Sequence, residues 1–213
     1  KMSITTTTVI TKSNYREIPA LVDMLTELGV DQIGFMPVQE IGLDYQVDDR
    51  SKRFMVQPEG VNVLSELDSI VDFLIDRKRA TDRIENSVAY LKLFKDAFRG
   101  LPLPIRCYAG YNTIGVDSWG DIYPCFAWGE MRRSAGNIRH TPLAEFWRSG
   151  ASDRMRGEAS VCRDCYWNNQ VELNLVLSRK RVSIKGGYNR HQFSKPVPIA
   201  LVKHVESSGI SRE

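Results

Sequence analysis

The 213-residue chain carries 29 Lys and Arg against 26 Asp and Glu, a formal net charge of +3, with 42% hydrophobic and 26% charged residues. Those proportions exclude a wholly disordered chain, and the charge excess is too slight to argue for nucleic acid. No apolar run approaches the roughly 18 residues of a membrane span, and the length suits one large or two small domains that bury a core without disulfide staples. The chain opens at Lys1, inside what reads as a strand, so it is expected to be part of a longer protein.

Residues 3–11 are β-branched almost throughout, which predicts a buried strand. Ser13 and Asn14 then offer capping oxygens. Ile18, Leu21, Val22, Leu25 and Leu28 follow at helical spacing, with Gly29 as the stop. Residues 30–38 predict a second strand. So compact a crossover implies parallel strands, a βαβ unit belonging to a larger α/β sheet or barrel. Residues 40–57, with Asp48, Asp49, Arg50, Lys52 and Arg53, read as a solvated loop or, alternatively, a substrate-facing lid. Two packing helices are expected next, one marked by Val61, Leu64, Leu67, Val71 and Leu74, the other by Ile84, Val88, Leu91 and Phe98.

The character changes at Leu101-Pro-Leu-Pro-Ile-Arg, an extended linker ending at Cys107. A hairpin is expected over Asn112–Ala127, with Ile114 and Val116 inward, Asp117-Ser-Trp-Gly120 as the turn and Cys125 on the second strand. Gly136-Asn-Ile leads to a short helix over Pro142–Arg148, started by Pro142. Cys162-Arg-Asp-Cys165 makes a knuckle, and Val171–Leu177 an apolar helix. The basic run Ser178-Arg-Lys-Arg181 and Lys185 reads as a solvated helix end and tail.

All four cysteines, Cys107, Cys125, Cys162 and Cys165, fall in the second half of the chain. Their order is Cys-x17-Cys, a gap of 36 residues, then Cys-x2-Cys. A thiolate-bound soft metal centre in a reducing, cytoplasmic setting suits them better than disulfides. Only one short knuckle exists, whereas zinc ribbons usually pair two, yet the spacing leaves zinc and an iron–sulfur cluster both open. His140, His191 and His204 lie too far apart in sequence to suggest ligands.

Cys107, Gly120-Asp-Ile-Tyr-Pro-Cys125, Gly136-Asn-Ile, Pro142-Leu-Ala-Glu-Phe-Trp147 and Cys162-x2-Cys165, in that order, carry a resemblance. From about residue 105 to 178 the chain resembles the auxiliary-cluster region, SPASM or twitch, of radical S-adenosylmethionine enzymes. The βαβ unit is similar to the last strands of their partial barrel. The resemblance implies an α/β fold: the C-terminal piece of a parallel (β/α) partial barrel over 1–57, a helical connector over 58–104, a small α+β cluster domain over 105–178 and a basic tail over 179–213.

The same resemblance implies one auxiliary [4Fe-4S] cluster on all four cysteines. Val171 and Leu175 stand where a full SPASM region continues with further cysteines, which points to the shorter twitch form. Thr11 and Met36 are the positions expected to contact S-adenosylmethionine. In such enzymes a second [4Fe-4S] cluster on Cys-x3-Cys-x2-Cys generates a 5′-deoxyadenosyl radical; that motif is absent from these 213 residues, so the chain as given is not expected to start the reaction. Electron transfer by the auxiliary cluster, a peptide or small-molecule substrate and a reductant such as flavodoxin or ferredoxin are implied. Tyr108, Tyr111, Trp119, Tyr123, Phe126, Trp128 and Trp167 are expected to exclude water from the cluster or simply to pack. Glu172 and Asn174 are weighed as substrate-facing residues against plain helix-surface polarity. The competing readings are a non-enzymatic module in which the cysteines hold structural zinc, and a protein that has lost its radical-generating cluster.

Overall fold

Strand β1 (Thr5–Ile10) pairs in parallel with β2 (Gln32–Pro37), from Thr5 opposite Gln32 to Ile10 opposite Pro37. The computed structural model in which they lie describes residues 2–38, 61–130, 134–163 and 165–179. The polar stretch at 40–57, His191, His204 and the tail beyond Arg179 lie outside the described residues. The connection between the strands is a single 3-10 turn (Tyr15–Glu17) and α1 (Ile18–Glu27). Ile18 and Val22 are buried on the expected stripe, while Leu28 faces solvent. Gly29 ends the helix at φ +77°, a conformation that favours a residue without a Cβ. Asn14 does not cap the helix: its Oδ1 accepts from the Thr11 N–H and its Nδ2 donates to the Val9 carbonyl.

The fully buried first strand expected from the threonines is corrected. Exposure alternates along β1, and only Ile10 is buried, because Thr5, Thr7 and Val9 share the face opposite the core. Helix α2 (Val61–Thr81) follows, with Leu67, Val71 and Leu74 buried. Ile84 is not helical, as its spacing had suggested. It forms a parallel bridge with Ile33, where the Ile33 N–H donates to the Arg83 carbonyl and the Glu85 N–H to the Ile33 carbonyl. The next pair of strand groups is taken by a side chain. Asn86 Oδ1 accepts from the Phe35 N–H at 2.7 Å and its Nδ2 donates to the Phe35 carbonyl at 3.0 Å. Helix α3 (Val88–Ala97) then starts on Ser87, whose hydroxyl accepts from the Tyr90 N–H. It crosses α2 with Arg99 gripping both oxygens of Asp68 at 2.9 and 2.8 Å.

Beyond the linker lies a second, antiparallel sheet of β3 (Gly115–Val116), β4 (Asp121–Tyr123) and β5 (Gly136–Asn137), in that order. The expected hairpin is present, with Gly120 at φ +89° in its turn. Three details differ. Val116 points outward, and only Ile114 packs inward. Gly136-Asn137 forms a third strand. Cys125 lies past β4, directly before α4 (Phe126–Glu130). After α5 (Leu143–Phe146) comes α6 (Gly150–Val161), whose weak apolar stripe gave no signal. It buries Ser152, Met155, Arg156, Ala159 and Ser160 and is capped by Ser149. Helix α7 (Asn168–Arg179) was expected to be apolar, but Leu173 and Val176 are exposed while Gln170 and Asn174 are buried.

The main core joins the parallel unit, α1, α2 and α3 to Tyr166 and Val171, and a small one gathers Ile122, Phe146 and Met155. Asn86 is the most exacting polar group in the first. Replacing it with Leu leaves two buried backbone groups of Phe35 without partners, at about 1–3 kcal/mol each. Asn86→Leu should therefore lower unfolding stability by about 2–6 kcal/mol in a denaturant titration, with an unchanged m-value.

Candidate metal centre

Each cysteine arrives on a different kind of local structure. Cys107 ends the Pro-rich linker, and the turn behind it is closed by the Tyr111 and Asn112 N–H groups on the Tyr108 carbonyl. Cys125 is the residue before α4, and its sulfur accepts from the backbone N–H groups of Ala127 and Trp128, the place an N-cap oxygen would take. Cys162 terminates α6. Cys165 follows in the knuckle, with the backbone N–H of Trp167 on its sulfur. No disulfide joins any of the four.

The four thiols are neighbours. Cys107, Cys125 and Cys162 pack around Ala109 and Ala159, two side chains small enough to let the sulfur-bearing segments approach. Cys165 is close enough that charge on Cys162, Cys125 or Cys107 disfavours charge on it. Burial pushes the Cys165 thiol up to about 12 and raises that of Cys125 as well, while the backbone N–H groups pull both the other way. Buried thiolates that repel one another need a cationic partner, and N–H groups aimed at sulfur are already in place for one. The donor set therefore fits an iron–sulfur cluster. Among the described residues no three His, Cys, Asp or Glu side chains are gathered at single-ion spacing. A zinc ion, with Zn–S bonds of about 2.3 Å, would need its sulfurs roughly 3.8 Å apart.

Beside Cys125 and Cys165 opens a cavity of about 410 Å³, with Phe126, Trp167, Gln170 and Leu173 among its walls. The aromatic shell divides. Tyr123 is buried and Phe126 pairs with Trp167 at 5.1 Å between ring centroids, but Phe126 is 62% and Trp119 70% exposed, so neither of these two shields the thiols. Arg156, 6% exposed, lies over the Trp147 ring at 4.4 Å and donates from Nε to the Gly110 carbonyl, fixing the loop after Cys107 to α6. Neither Gln170 nor Arg156 carried a sequence signal, since polar residues on helices are ordinarily solvated.

Thr11 and Met36 come together at the C-terminal edge of the parallel pair, Met36 opposite Val9 and Thr11 one position past Ile10. Thr11 Oγ1 lies 3.0 Å from Ser13 Oγ, and Met36 is half-buried. Glu172 accepts the Ser87 N–H at 2.7 Å. Asn174 is 1% exposed and accepts the Tyr108 N–H at 2.9 Å, so it belongs to the cysteine region and not to the helix surface. His140 is exposed and stands apart from the thiols.

Comparison with known proteins bears on the same stretch. Residues 107–166 match the SPASM family, described as an iron–sulfur cluster-binding domain, a match that opens on Cys107 and closes one residue past Cys165. A relative from Pyrococcus furiosus, named tungsten-containing aldehyde ferredoxin oxidoreductase cofactor-modifying protein, is 27% identical over 166 residues. The match covers 70% of this chain and 40% of the relative, so the chain spans well under half of that protein's length. Similar solved structures include native anSMEcpe with bound AdoMet and Cp18Cys peptide (TM-score 0.48, 15% identity, 72% of this chain and 41% of that one). Another is native anSMEcpe with bound AdoMet (TM-score 0.47, 14% identity, 72% and 40%). Over residues 107–166, then, the chain matches the SPASM iron–sulfur cluster-binding domain, the region that its cysteine spacing resembles.

Proposed function

We propose that Cys107, Cys125, Cys162 and Cys165 hold one auxiliary [4Fe-4S] cluster, and that the chain is part of a radical S-adenosylmethionine enzyme acting on a peptide or small molecule. The observation that carries this reading is the meeting of four thiols, none in a disulfide, inside the matched stretch. A cluster bound there supplies one-electron transfer. Four thiolates for four irons leave no iron open to a substrate, so the role is electron transfer and not substrate binding. Ala127, Trp128 and Trp167 offer backbone N–H groups to the ligand sulfurs, and Trp167 lines the cavity beside Cys125 and Cys165.

The parallel unit of β1, β2 and the bridge at Ile84 supports the reading of residues 1–57 as the end of a partial barrel, continued at Ile84 beyond that boundary. Thr11 and Met36, at the C-terminal edge of its strands, are our candidates for contact with S-adenosylmethionine. The relative's name, a cofactor-modifying protein, supports chemistry that alters a bound molecule. Cysteines outside any disulfide suit a cytoplasmic setting, and a flavodoxin or ferredoxin is the kind of reductant such chemistry requires.

Anaerobic reconstitution should give a brown protein with about four iron and four sulfide per chain, and Cys125→Ser should lower both and bleach the visible absorbance. One zinc per colourless chain would instead establish the structural-zinc reading. Before loading, burial should slow alkylation. At pH 8.5 Cys165 should react with iodoacetamide at least about tenfold more slowly in the folded chain than in denaturant, because a raised thiol pKa lowers the thiolate fraction. Peptide mass spectrometry at timed quenches reads both rates.

A further inference from the structure

A buried N–H without an acceptor costs about 1–3 kcal/mol, and native interiors rarely tolerate one unless another group or a water completes it. Among the described residues, three side-chain nitrogens are in that condition: Asn112 Nδ2, Trp167 Nε1 and Asn174 Nδ2. All three sit in the region of the cysteines. Trp167 lines the cavity beside Cys125 and Cys165, and its backbone N–H already serves the Cys165 sulfur. Asn174 binds the backbone N–H of Tyr108, the residue after Cys107. Asn112 and Asn174 are linked through Gln170, whose Nε2 donates to Asn112 Oδ1 at 3.2 Å and to Asn174 Oδ1 at 3.0 Å.

That network also settles which way the Asn174 amide faces. Its Oδ1 accepts from two N–H groups, Tyr108 N and Gln170 Nε2, so exchanging oxygen for nitrogen would set donor against donor twice. The NH2 is therefore the end left without a partner, by the demands of its neighbours. The nearby Gln170 Oε1 is already engaged by the Thr113 hydroxyl at 2.8 Å. The acceptors in excess around a loaded centre are sulfur atoms, which carry negative charge in either redox state.

We propose that the side-chain N–H groups of Trp167 and Asn174 donate to sulfur of the cluster held by the four cysteines, and so raise its reduction potential. The inference rests on the cluster reading of the site. Its sign follows from charge: one added electron makes the sulfurs better acceptors, so each N–H favours the reduced form and its loss lowers the potential. Trp167→Phe removes one donor and keeps an aromatic ring against Phe126. Asn174→Asp keeps an oxygen for the Tyr108 N–H and removes the NH2, but its added negative charge lowers the potential by itself, so Trp167→Phe is the variant that decides.

The test is a redox titration of the reconstituted 213-residue chain, followed by visible absorbance and electron paramagnetic resonance, with iron and sulfide counted in each sample. Both variants should load to the parent's stoichiometry and titrate below it. For Trp167→Phe the reduced-to-oxidised ratio at fixed poise should fall about tenfold, or 59 mV for a one-electron couple. A loaded Trp167→Phe variant that titrates with the parent would overturn the proposal and leave the cluster reading intact, the nitrogens then being served by water. A parent that takes up no iron or sulfide would overturn both. Should a variant fail to load, the parent decides alone: with 15N in the indole rings and the Asn amides, nitrogen coupling to the reduced cluster's spin supports the donors, and its absence rejects them.

Discussion

Four sulfur atoms on separate stretches of backbone have to be held side by side before any metal group can bind, and that requirement organises the second half of the chain. Thiols brought together in a low-dielectric interior resist ionisation, as the raised values at Cys125 and Cys165 record. The fold must therefore fix them by packing that owes nothing to the metal. It does so with small side chains, Ala109 and Ala159, where segments cross, and with Arg156 tying the Cys107 loop to α6. Backbone N–H groups at Cys125 and Cys165 then compensate part of the negative charge that binding requires.

The cysteine region is also anchored to the parallel unit. Tyr90, fully buried in α3, donates its hydroxyl to the Tyr166 carbonyl at 2.6 Å, next to Cys165. Tyr166 in turn donates to the Leu101 carbonyl at 2.9 Å, and the Leu103 N–H pairs with the Arg163 carbonyl across the linker. Glu172 caps the start of α3 from α7. Movement of the knuckle is thus coupled to the helices packed on β1 and β2.

Much of this was legible from residue patterns. The βαβ unit followed from β-branched runs around one helical stripe, and Gly29 and Gly120 mark stops where positive φ is needed. The cysteine order, with the hairpin glycine, pointed to the family whose model matches residues 107–166. The misreadings share a cause. Ile84 completes a helical period with Val88, yet the edge of β2 offered unpaired backbone groups, and a sheet bond outweighs a stripe position. Helix α6 buries two serines, an arginine, one alanine and Met155, so hydrophobic periodicity had little to detect.

The amino-acid sequence by itself determined which chemistry is possible: four thiols in a metal-binding order, a parallel unit before them, and no cysteines left for a second such centre within these residues. It could do so because ligand type and local backbone preference are properties of near neighbours. Only the tertiary structure decided how the thiols are served. That Asn174 turns inward to Tyr108, that Asn86 completes a strand and that Trp167 presents a buried N–H beside Cys165 all depend on contacts between residues far apart in the chain. Hydrogen-bond accounts in an interior close only when the whole fold is assembled, and no window of sequence contains both sides of them.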